Sequence, residues 1–307
     1  MIINKDMLYR FEEQLDPTNL EGSEVPAEII DFGEISVIFR LVNQPDVVYK
    51  RMPIFDNLSS AEAYSVMYFD YCRYLTQAGL TLPESDTCII EIPGRPVVLF
   101  IAQKKIPGDR LCHKLIHTLN PEKSREMIES VISETNKVWS FNDASGPFVK
   151  LAIDGQLSNW GYVEDKNGSV IYYIDTSTPL LRLNGEERQN PELLLQSAPG
   201  FLRWIIRLFF LDDVMNRYYV PKLVFTDLAA NLFKERKAEL IPDAIDMINR
   251  SLPGGEAGIT LKEVEKYYKE DKLIWSLFLA FRKIDRWIKT TLLRKRYEFI
   301  LPGNIER

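Results

Sequence analysis

The sequence of 307 residues contains few histidines and cysteines, the residues whose nitrogen and sulfur atoms commonly bind metals. It has two histidines and three cysteines, with no Cys-x-x-Cys pair or other metal-ligand spacing. Only His113 and His117 could assist the cysteines as ligands. The cysteines are widely spaced and odd in number, which indicates reduced thiols in a cytosolic protein. They are Cys72, Cys88 and Cys112.

The sequence also lacks a secretory signal, internal repeats and low-complexity tracts. Its N-terminus becomes charged within the first five residues, at Lys5. The most apolar stretch, residues 201–214, contains Arg203, Arg207 and the pair Asp212-Asp213. This stretch is too short and too charged to span a bilayer, and it predicts a buried helix. We therefore expect a soluble, cytoplasmic protein.

Charge is unevenly distributed along the chain, with an excess of basic residues at its end. The net charge is −6, but residues 272–307 carry nine Lys/Arg against three Asp/Glu, a net of +6. Residues 1–271 therefore carry −12, which argues against nucleic acid as the main partner. Residues 282–296 are basic and amphipathic. They fit the solvated face of a docked helix, or a contact with an anionic lipid surface or an acidic partner.

The first third of the chain predicts a small antiparallel β block with one helix between two hairpins. After a short helix over residues 5–15, β-branched and aromatic residues flank turn chemistry in a hairpin over residues 35–52. Apolar spacing predicts a helix over residues 59–78. A second hairpin follows over residues 88–102, around a Pro-Gly-Arg-Pro turn.

The rest of the chain is mainly helical. Short apolar segments at residues 148–153 and 169–174 enclose a polar loop, with an Asn-Gly hairpin turn ahead of the second one. The fold class is thus α+β, with predicted domains at residues 1–104 and 105–307. The predicted helices span residues 110–118, 121–139, 191–197, 200–217, 221–236, 240–251 and 260–297.

The polar loop contains Asp154 and, five residues later, Asn159; Asp175 then ends the second apolar segment. Kinase-type phosphotransfer sites use this order, with one Asp for the acceptor hydroxyl and an Asn and a second Asp for the metal. The Asp-x4-Asn spacing is weak evidence alone, because 19 Asp and 15 Asn would supply about one such pair by chance. Its significance depends on the β block that precedes it.

Over most of residues 28–180 this arrangement resembles the protein-kinase-like superfamily, and within it the small-molecule kinases of the aminoglycoside phosphotransferase and choline kinase type. The resemblance implies a two-lobed fold, ATP and Mg²⁺ as cofactors, and a small-molecule hydroxyl acceptor. It makes Asp154 the catalytic Asp. Asn159 and Asp175 become metal ligands, whose hard oxygen atoms suit Mg²⁺.

The resemblance makes Lys50 the strand lysine that contacts the nucleotide phosphates. Strand alternation places Lys50 on the same face as Val48, although a lysine on a solvent-facing strand is the simpler alternative. Glu62 is the candidate carboxylate that would hold this lysine, with Asp70 as its rival. However, Ser59 and Glu62 also match a helix capping box, which requires no active site.

Two further segments complete the expected nucleotide site. Gly33 and Ser36 lie where a loop would cover the phosphates, although an ordinary β-turn accounts for them equally well. Ala102, Gln103 and Lys104 correspond to the hinge whose backbone contacts adenine. A Pro-Gly turn after them would open the helical lobe.

The sequence departs from the family at several points. Ala152 and Ile153 stand where a histidine is expected before the catalytic Asp, and Thr176 and Ser177 follow Asp175. The retained site residues favour an active, divergent enzyme. The alternatives are an inactive nucleotide-binding or scaffold module that docks a partner through its basic C-terminal helix, or an unrelated α+β domain.

Other polar and aromatic residues have simpler explanations. Asp212-Asp213 would give a cationic acceptor an acidic pocket, but such a pair more often caps or solvates a helix. Trp160 is expected to pack beneath the catalytic loop. The remaining tryptophans are assigned to apolar helix faces in the core: Trp139, Trp204, Trp275 and Trp287.

Overall fold

A computed structural model describes residues 3–18, 24–33, 36–165, 168–196, 200, 203, 216–252 and 257–301. Over these residues a five-stranded antiparallel sheet precedes a mainly helical region, which confirms the predicted α+β class. We call the sheet and its two helices the N-lobe, and the helical region the C-lobe. Within the described ranges, no helix is long and apolar enough to cross a bilayer.

The N-lobe sheet has the strand order β1-β2-β3-β5-β4, with every neighbouring pair antiparallel. Both predicted hairpins are confirmed, since β2 pairs with β3 and β4 pairs with β5. The central strands β3 and β5 are nearly fully buried because strands flank them on both sides. The strands are β1 Ala27–Phe32, β2 Val37–Leu41, β3 Val47–Phe55, β4 Ser85–Ile90 and β5 Val97–Lys104.

A helix covers each face of this sheet. Helix α1 (Lys5–Gln14) packs Phe11 on Phe39, with ring centroids 4.8 Å apart, and belongs to one apolar cluster. Helix α2 (Leu58–Gln77) packs on the opposite face in a second cluster. Consecutive residues of a strand point to opposite faces, so neighbouring residues of β3 contact different helices.

The start of α2 corrects one prediction. Asn57 is the N-cap, because its side-chain oxygen accepts a hydrogen bond from the backbone N–H of Ser60 at 2.9 Å. Ser59 therefore lies inside the first turn, and the capping box predicted for Ser59 and Glu62 is wrong. Asn is among the preferred N-cap residues, so this start is equally consistent with local sequence chemistry.

Six helices are described in the C-lobe, and they surround its large apolar core. Helix α4 continues six residues beyond its predicted end at residue 139, whereas α8 ends ten residues before residue 297. A π-helical turn, Ile288–Leu292, follows α8. The predicted helix over residues 200–217 lies mostly outside the described residues. The helices are α3 Cys112–Leu115, α4 Pro121–Ser145, α5 Pro191–Gln196, α6 Pro221–Lys234, α7 Ile241–Ser251 and α8 Leu261–Trp287.

Five short strands of the C-lobe position the polar loop. The two predicted apolar segments form β6 and β8, but they do not pair with each other: β6 pairs with β9, and β8 pairs with β7. The ribbon of β7 and β8 brings the end of β8 beside the loop that follows β6. The strands are β6 Val149–Leu151, β7 Trp160–Asp165, β8 Gly168–Tyr173, β9 Leu181–Leu183 and β10 Glu186–Glu187.

After the π-helical turn, residues 296–301 return to the N-lobe. The side chain of Phe299 contacts the apolar cluster under α2, and Ile300 contacts the cluster under α1. The predicted domain boundary at residue 104 coincides with the end of β5. However, Phe299 and Ile300 near the end of the chain pack against the N-lobe. None of the three cysteines, all of which lie in the described ranges, forms a disulfide bond.

Candidate active site

Lys50 of β3 and Asp175, which follows β8, meet between the two lobes. The Nζ atom of Lys50 lies 3.1 Å from Oδ1 of Asp175, 3.1 Å from the carbonyl oxygen of Ile174 and 3.4 Å from Oγ of Ser177. Lys50 is only 5% exposed, whereas the Asp175 side chain is 30% exposed. The predicted strand lysine and the second predicted metal ligand therefore form one ion pair at the lobe junction.

Gln103 of β5 lies on the same face of the sheet as Lys50. Its Nε2 atom donates to the carbonyl oxygen of Ile174 at 3.2 Å, so both side chains bind one carbonyl group. The remaining predicted hinge residues are placed differently. Ala102 is buried in the sheet, while Lys104 is exposed at the end of β5.

The backbone of the predicted hinge is already bonded within the protein. The N–H groups of Lys104 and Lys105 donate to the carbonyl oxygens of Glu84 and Asp46, each at 2.8 Å. Residues 102–103 pair with both β3 and β4. An adenine base could use these groups only if sheet hydrogen bonds opened, so the first residues free of strand pairing come after residue 105.

Three tyrosines of α2 connect this helix to the loops of the C-lobe. Tyr64 donates to the carbonyl oxygen of Ser177 at 2.8 Å, and Tyr71 donates to that of Ala152 at 2.7 Å. Tyr68 accepts a hydrogen bond from Thr176 at 3.2 Å. The spacing 64, 68, 71 places the three tyrosines on one helix face, but local spacing does not identify their partners in the C-lobe.

The carboxylate predicted to hold Lys50 is not brought to it. Glu62 is exposed, and Asp175 is the carboxylate partner of Lys50 among the described residues. The rival Asp70 pairs with Arg73 on the surface of α2 at 2.8 Å. The face of α2 that points to the cleft instead presents the tyrosines, so neutral hydroxyl groups replace the expected ion pair.

Helix α6 supports the loop that contains Asp154. The Nε2 atom of Gln156 donates to Oδ2 of Asp227 at 3.2 Å, and the N–H of Leu157 donates to Oδ1 of Asn231 at 3.1 Å. The loop approaches α6 closely, because a Cβ atom on Gly155 would lie 2.9 Å from a Val224 methyl group. Side chains of α6 therefore hold this loop in place.

Asn159 joins the loop of Asp154 to the segment that ends at Asp175. Its side-chain amide donates to the backbone oxygen of Asp154 at 3.3 Å. Its backbone carbonyl oxygen accepts a hydrogen bond from the N–H of Ile174 at 2.9 Å. The structure therefore brings all three residues of the sequence motif into one region. Trp160, directly after Asn159, is fully buried beneath them, as expected.

The donor set fits a hard cation. Among the described residues, the contacts of the Asp175 carboxylate fall on Oδ1, which leaves Oδ2 for a ligand. No group of three or more His, Cys, Asp and Glu side chains in the described ranges could hold a metal. A cation at Asn159 and Asp175 would therefore need phosphate or water oxygens to complete its ligands, as Mg²⁺ commonly does.

The environment of Asp154 alters its acidity. Burial, together with the nearby charges of Asp227 and Asp175, raises the pKa of Asp154 from 3.8 to about 7. Burial also raises the pKa of Asp227 to about 6. A carboxylate with a pKa near neutrality can accept a proton from a hydroxyl group more readily than an ordinary aspartate.

Gly33 and Ser36 lie at the tip of the hairpin formed by β1 and β2. The N–H of Gly33 donates to the backbone oxygen of Ser36 at 3.0 Å, which closes a tight turn. A role of Gly33 and Ser36 in covering a nucleotide stays a prediction. The proposed acidic acceptor pair Asp212-Asp213, like Trp204, lies outside the described residues.

The other tryptophans that were predicted to lie in the core differ in burial. Trp139 is buried, as predicted, and Trp275 is partly exposed. Trp287 was assigned to the core, but its side chain is 55% exposed on the outer surface of α8, so that assignment is wrong.

The five-stranded antiparallel sheet, followed by a helical region with the Lys50–Asp175 ion pair and the loop of Asp154 between them, has the two-lobed α+β arrangement that the sequence predicts. The chain belongs to the family of unknown function DUF6206, whose model matches residues 27–286. The matched range includes both partners of the ion pair and Asp154.

Two solved structures align with most of the chain. WaaP in complex with acyl carrier protein covers 87% of this chain and 98% of its own, at 11% identity and a TM-score of 0.37. The GDP and kanamycin complex of APH(2")-IIia covers 81% of this chain and 98% of its own, at 11% identity and a TM-score of 0.34. The comparison with curated proteins gives no significant match.

Proposed function

We propose that this protein is an ATP- and Mg²⁺-dependent phosphotransferase that transfers a phosphoryl group to a hydroxyl of a small molecule. The observation that carries the proposal is the contact between Lys50 and Asp175 across the lobe junction. Asn159 joins this contact to the loop of Asp154. A lysine, a carboxylate that could bind a metal and a candidate general base are therefore in one region.

Each residue has a distinct role in the proposed reaction. Lys50 would bind the nucleotide phosphates, and Asp154 would orient the acceptor hydroxyl and accept its proton. Asn159 and Asp175 would hold Mg²⁺, whose chemical contribution when bound would be positive charge beside the phosphates. Catalysis of this kind depends on alignment and electrostatics, so it requires rigid loops rather than a nucleophilic side chain.

The acceptor would approach Asp154 from the lobe junction. On the other side of Gln156, a cavity between α6 and α8 has a volume of about 20 Å³ and includes Asp227 and Asp271 in its lining. A space of this size holds about one water molecule, so it is too small for an acceptor. We therefore expect the acceptor to reach Asp154 from the side of Asp175.

A non-catalytic nucleotide-binding module is the second candidate, and the surroundings of Lys50 favour it. The ammonium group has three N–H donors, and Asp175, Ile174 and Ser177 provide three acceptors. A nucleotide would have to displace at least one of them. In this alternative the protein binds nucleotide without transferring its phosphate and uses its basic C-terminal helix to dock a partner.

Slow ATP turnover by the purified chain separates these two functions. With Mg-ATP we expect ADP release that falls at least about 100-fold in Asp154→Asn, because removal of a general base commonly has this effect. Nucleotide affinity should change little. The matched control is Asp70→Asn, whose carboxylate pairs with Arg73 on the surface. Mg-dependent binding with no turnover that depends on Asp154 would instead support the non-catalytic module.

A further inference from the structure

Helix α8 and the turn after it expose an unusual amount of apolar surface. Seven of the sixteen exposed large hydrophobic side chains in the described ranges lie between residues 273 and 293. The most exposed are Leu273 and Leu292, each at 61%, followed by Ile274 at 59%. Folded proteins rarely leave so many neighbouring apolar side chains in water without a partner.

The apolar side chains follow helical spacing. Leu273, Leu277 and Ile284 lie on one face at intervals of four and seven residues, and Trp287 lies at its border. The pair Leu292-Leu293 extends the exposed surface past the end of the helix. We call these residues, with Ile274, the apolar face of α8.

Two polar residues of α8 that point away from this apolar face are buried. Arg282 is 3% exposed and its guanidinium lies 5.0 Å from the ring centroid of Phe299. Asp285 is 6% exposed and pairs with Lys289 at 2.8 Å. This side of α8 is therefore held by the C-terminal segment, which fixes the apolar face toward the exterior.

Basic residues border the apolar face. Residues 272–296 contain eight Lys/Arg and one Asp, a net charge of +7, within a chain whose net charge is −6. Lys283 is exposed beside the apolar face, and Arg294 and Lys295 are exposed just beyond Leu293. An occupant of this face must therefore be both apolar and negatively charged.

We propose that the apolar face of α8 binds an anionic lipid surface, with the helix lying in the plane of the membrane interface. Helices of this kind combine an apolar face with Lys and Arg along its border and with interfacial Trp, as Trp287 would be here. A second copy of the chain fits poorly, because pairing two such faces would bring two regions of charge +7 together. The proposal is independent of the proposed phosphotransferase activity.

Vesicle flotation with the full chain tests this proposal. We expect binding to vesicles of 70% phosphatidylcholine and 30% phosphatidylglycerol at least about tenfold stronger than to pure phosphatidylcholine, since each basic residue near an anionic surface contributes about fivefold. High salt should weaken it because the charges are exposed. No binding, or equal binding to both vesicles, would overturn the proposal.

Two variants separate the apolar and electrostatic contributions. We expect Ile274→Ser with Leu277→Ser and Ile284→Ser to lose at least about tenfold in binding through lost apolar burial, and Lys283→Glu with Lys295→Glu to lose a similar amount. The controls are Val66→Ser, which is 64% exposed on α2, and Lys150→Glu, which is exposed on β6.

The remaining outcomes decide against lipid. Full binding by the serine variant would show that the apolar face does not enter the membrane, and equal losses in the controls would remove the assignment to this face. Binding of polyglutamate that survives the serine substitutions, without vesicle binding, would indicate an acidic protein partner. A dimer seen by light scattering and lost in the serine variant would identify a second copy as the occupant.

Discussion

Lys50 and Arg51 are consecutive residues of β3, and each forms a buried ion pair on its own face of the sheet. Lys50 points to the lobe junction and contacts Asp175, whose side chain is 30% exposed. Arg51 points to α1 and contacts Glu12, and the two side chains are 1% and 0% exposed. The same strand therefore supplies a contact that a ligand can reach and one that water cannot.

The cluster around Arg51 is bonded mainly within itself and is closed to solvent. Its guanidinium binds both carboxylate oxygens of Glu12, at 2.6 and 2.7 Å, and donates to the backbone oxygen of Glu298 at 2.6 Å. Arg95 also binds Glu12 and lies 3.5 Å from Glu298. Three distant parts of the chain, α1, β3 and the C-terminal segment, are joined here, which indicates a structural role.

The ion pair of Lys50 is more accessible to solvent than the ion pair of Arg51. Asp175 uses one carboxylate oxygen for both Lys50 and Ser177, and the other oxygen remains for a ligand. The lesson of the comparison is that burial of a charged pair alone does not identify a functional site. A functional pair combines charge with access, and only the face toward the lobe junction has both.

The largest effect is expected from breaking the buried cluster. Arg51→Met leaves Glu12 as a buried charge with reduced pairing, and loss of one partner from a buried ion pair costs about 3–5 kcal/mol of unfolding free energy. Arg73→Ala, which removes the exposed pair with Asp70, should cost less than about 1 kcal/mol. Urea unfolding measures both values. Equal, small losses would show that the cluster contributes no special stability.

A smaller effect is expected from the titration of the active-site carboxylates. The folded-state pKa of Asp154 is about 7 and that of Asp227 about 6, both above the ordinary value of 3.8. Between pH 3.8 and about pH 7, the folded protein therefore binds more protons than the unfolded chain. Its free energy of unfolding falls as the pH rises through this range.

Asp154→Asn removes the larger part of this dependence. At pH 8 we expect the variant to be more stable than the wild type by on the order of 1 kcal/mol, with the difference vanishing toward pH 4. Thermal unfolding between pH 4 and pH 8 measures this. Asp70→Asn serves as the control, and an Asp154→Asn variant with an unchanged pH dependence would contradict the account.

The smallest effects concern the tyrosines that join α2 to the loops beside Lys50. Tyr64→Phe should cost about 1 kcal/mol, because it leaves the carbonyl oxygen of Ser177 without its donor. Tyr68→Phe should cost a similar amount. Tyr9→Phe, at an exposed position of α1, is the control. Nucleotide affinity should fall in the first two variants, and unchanged affinity would show that α2 does not position the site.

The sequence predicts the local parts of this molecule well. Strand alternation and turn residues identify both N-lobe hairpins. Alternation along β3 also places Lys50 and Tyr49 on different faces of the sheet. The order of Asp154, Asn159 and Asp175 identifies the loops that the structure brings together. These features depend on neighbouring residues or on short segments, so their physical causes are contained in local patterns.

The remaining features depend on contacts between distant residues. The cluster around Arg51 joins residues separated by 39 positions, at Glu12, and by 247 positions, at Glu298, which no periodicity records. The spacing of the α2 tyrosines indicates a common face, but not that carbonyl groups of the C-lobe lie opposite. The charge and position of Glu62 in α2 favour it as the partner of Lys50, but in the folded helix its side chain is exposed to solvent.

The central claim is that the Lys50 face of β3 binds a nucleotide while the Arg51 face only stabilises the fold. Thermal unfolding of the full chain with and without Mg-ATP tests it most directly. We expect stabilisation of about 2.7 kcal/mol at a nucleotide concentration 100 times the dissociation constant, abolished in Lys50→Met and Asp175→Ala. Arg51→Met should unfold at a lower temperature but keep the nucleotide-dependent increase. A wild-type chain that no nucleotide stabilises, or an Asp175→Ala variant with the full increase, would contradict the account.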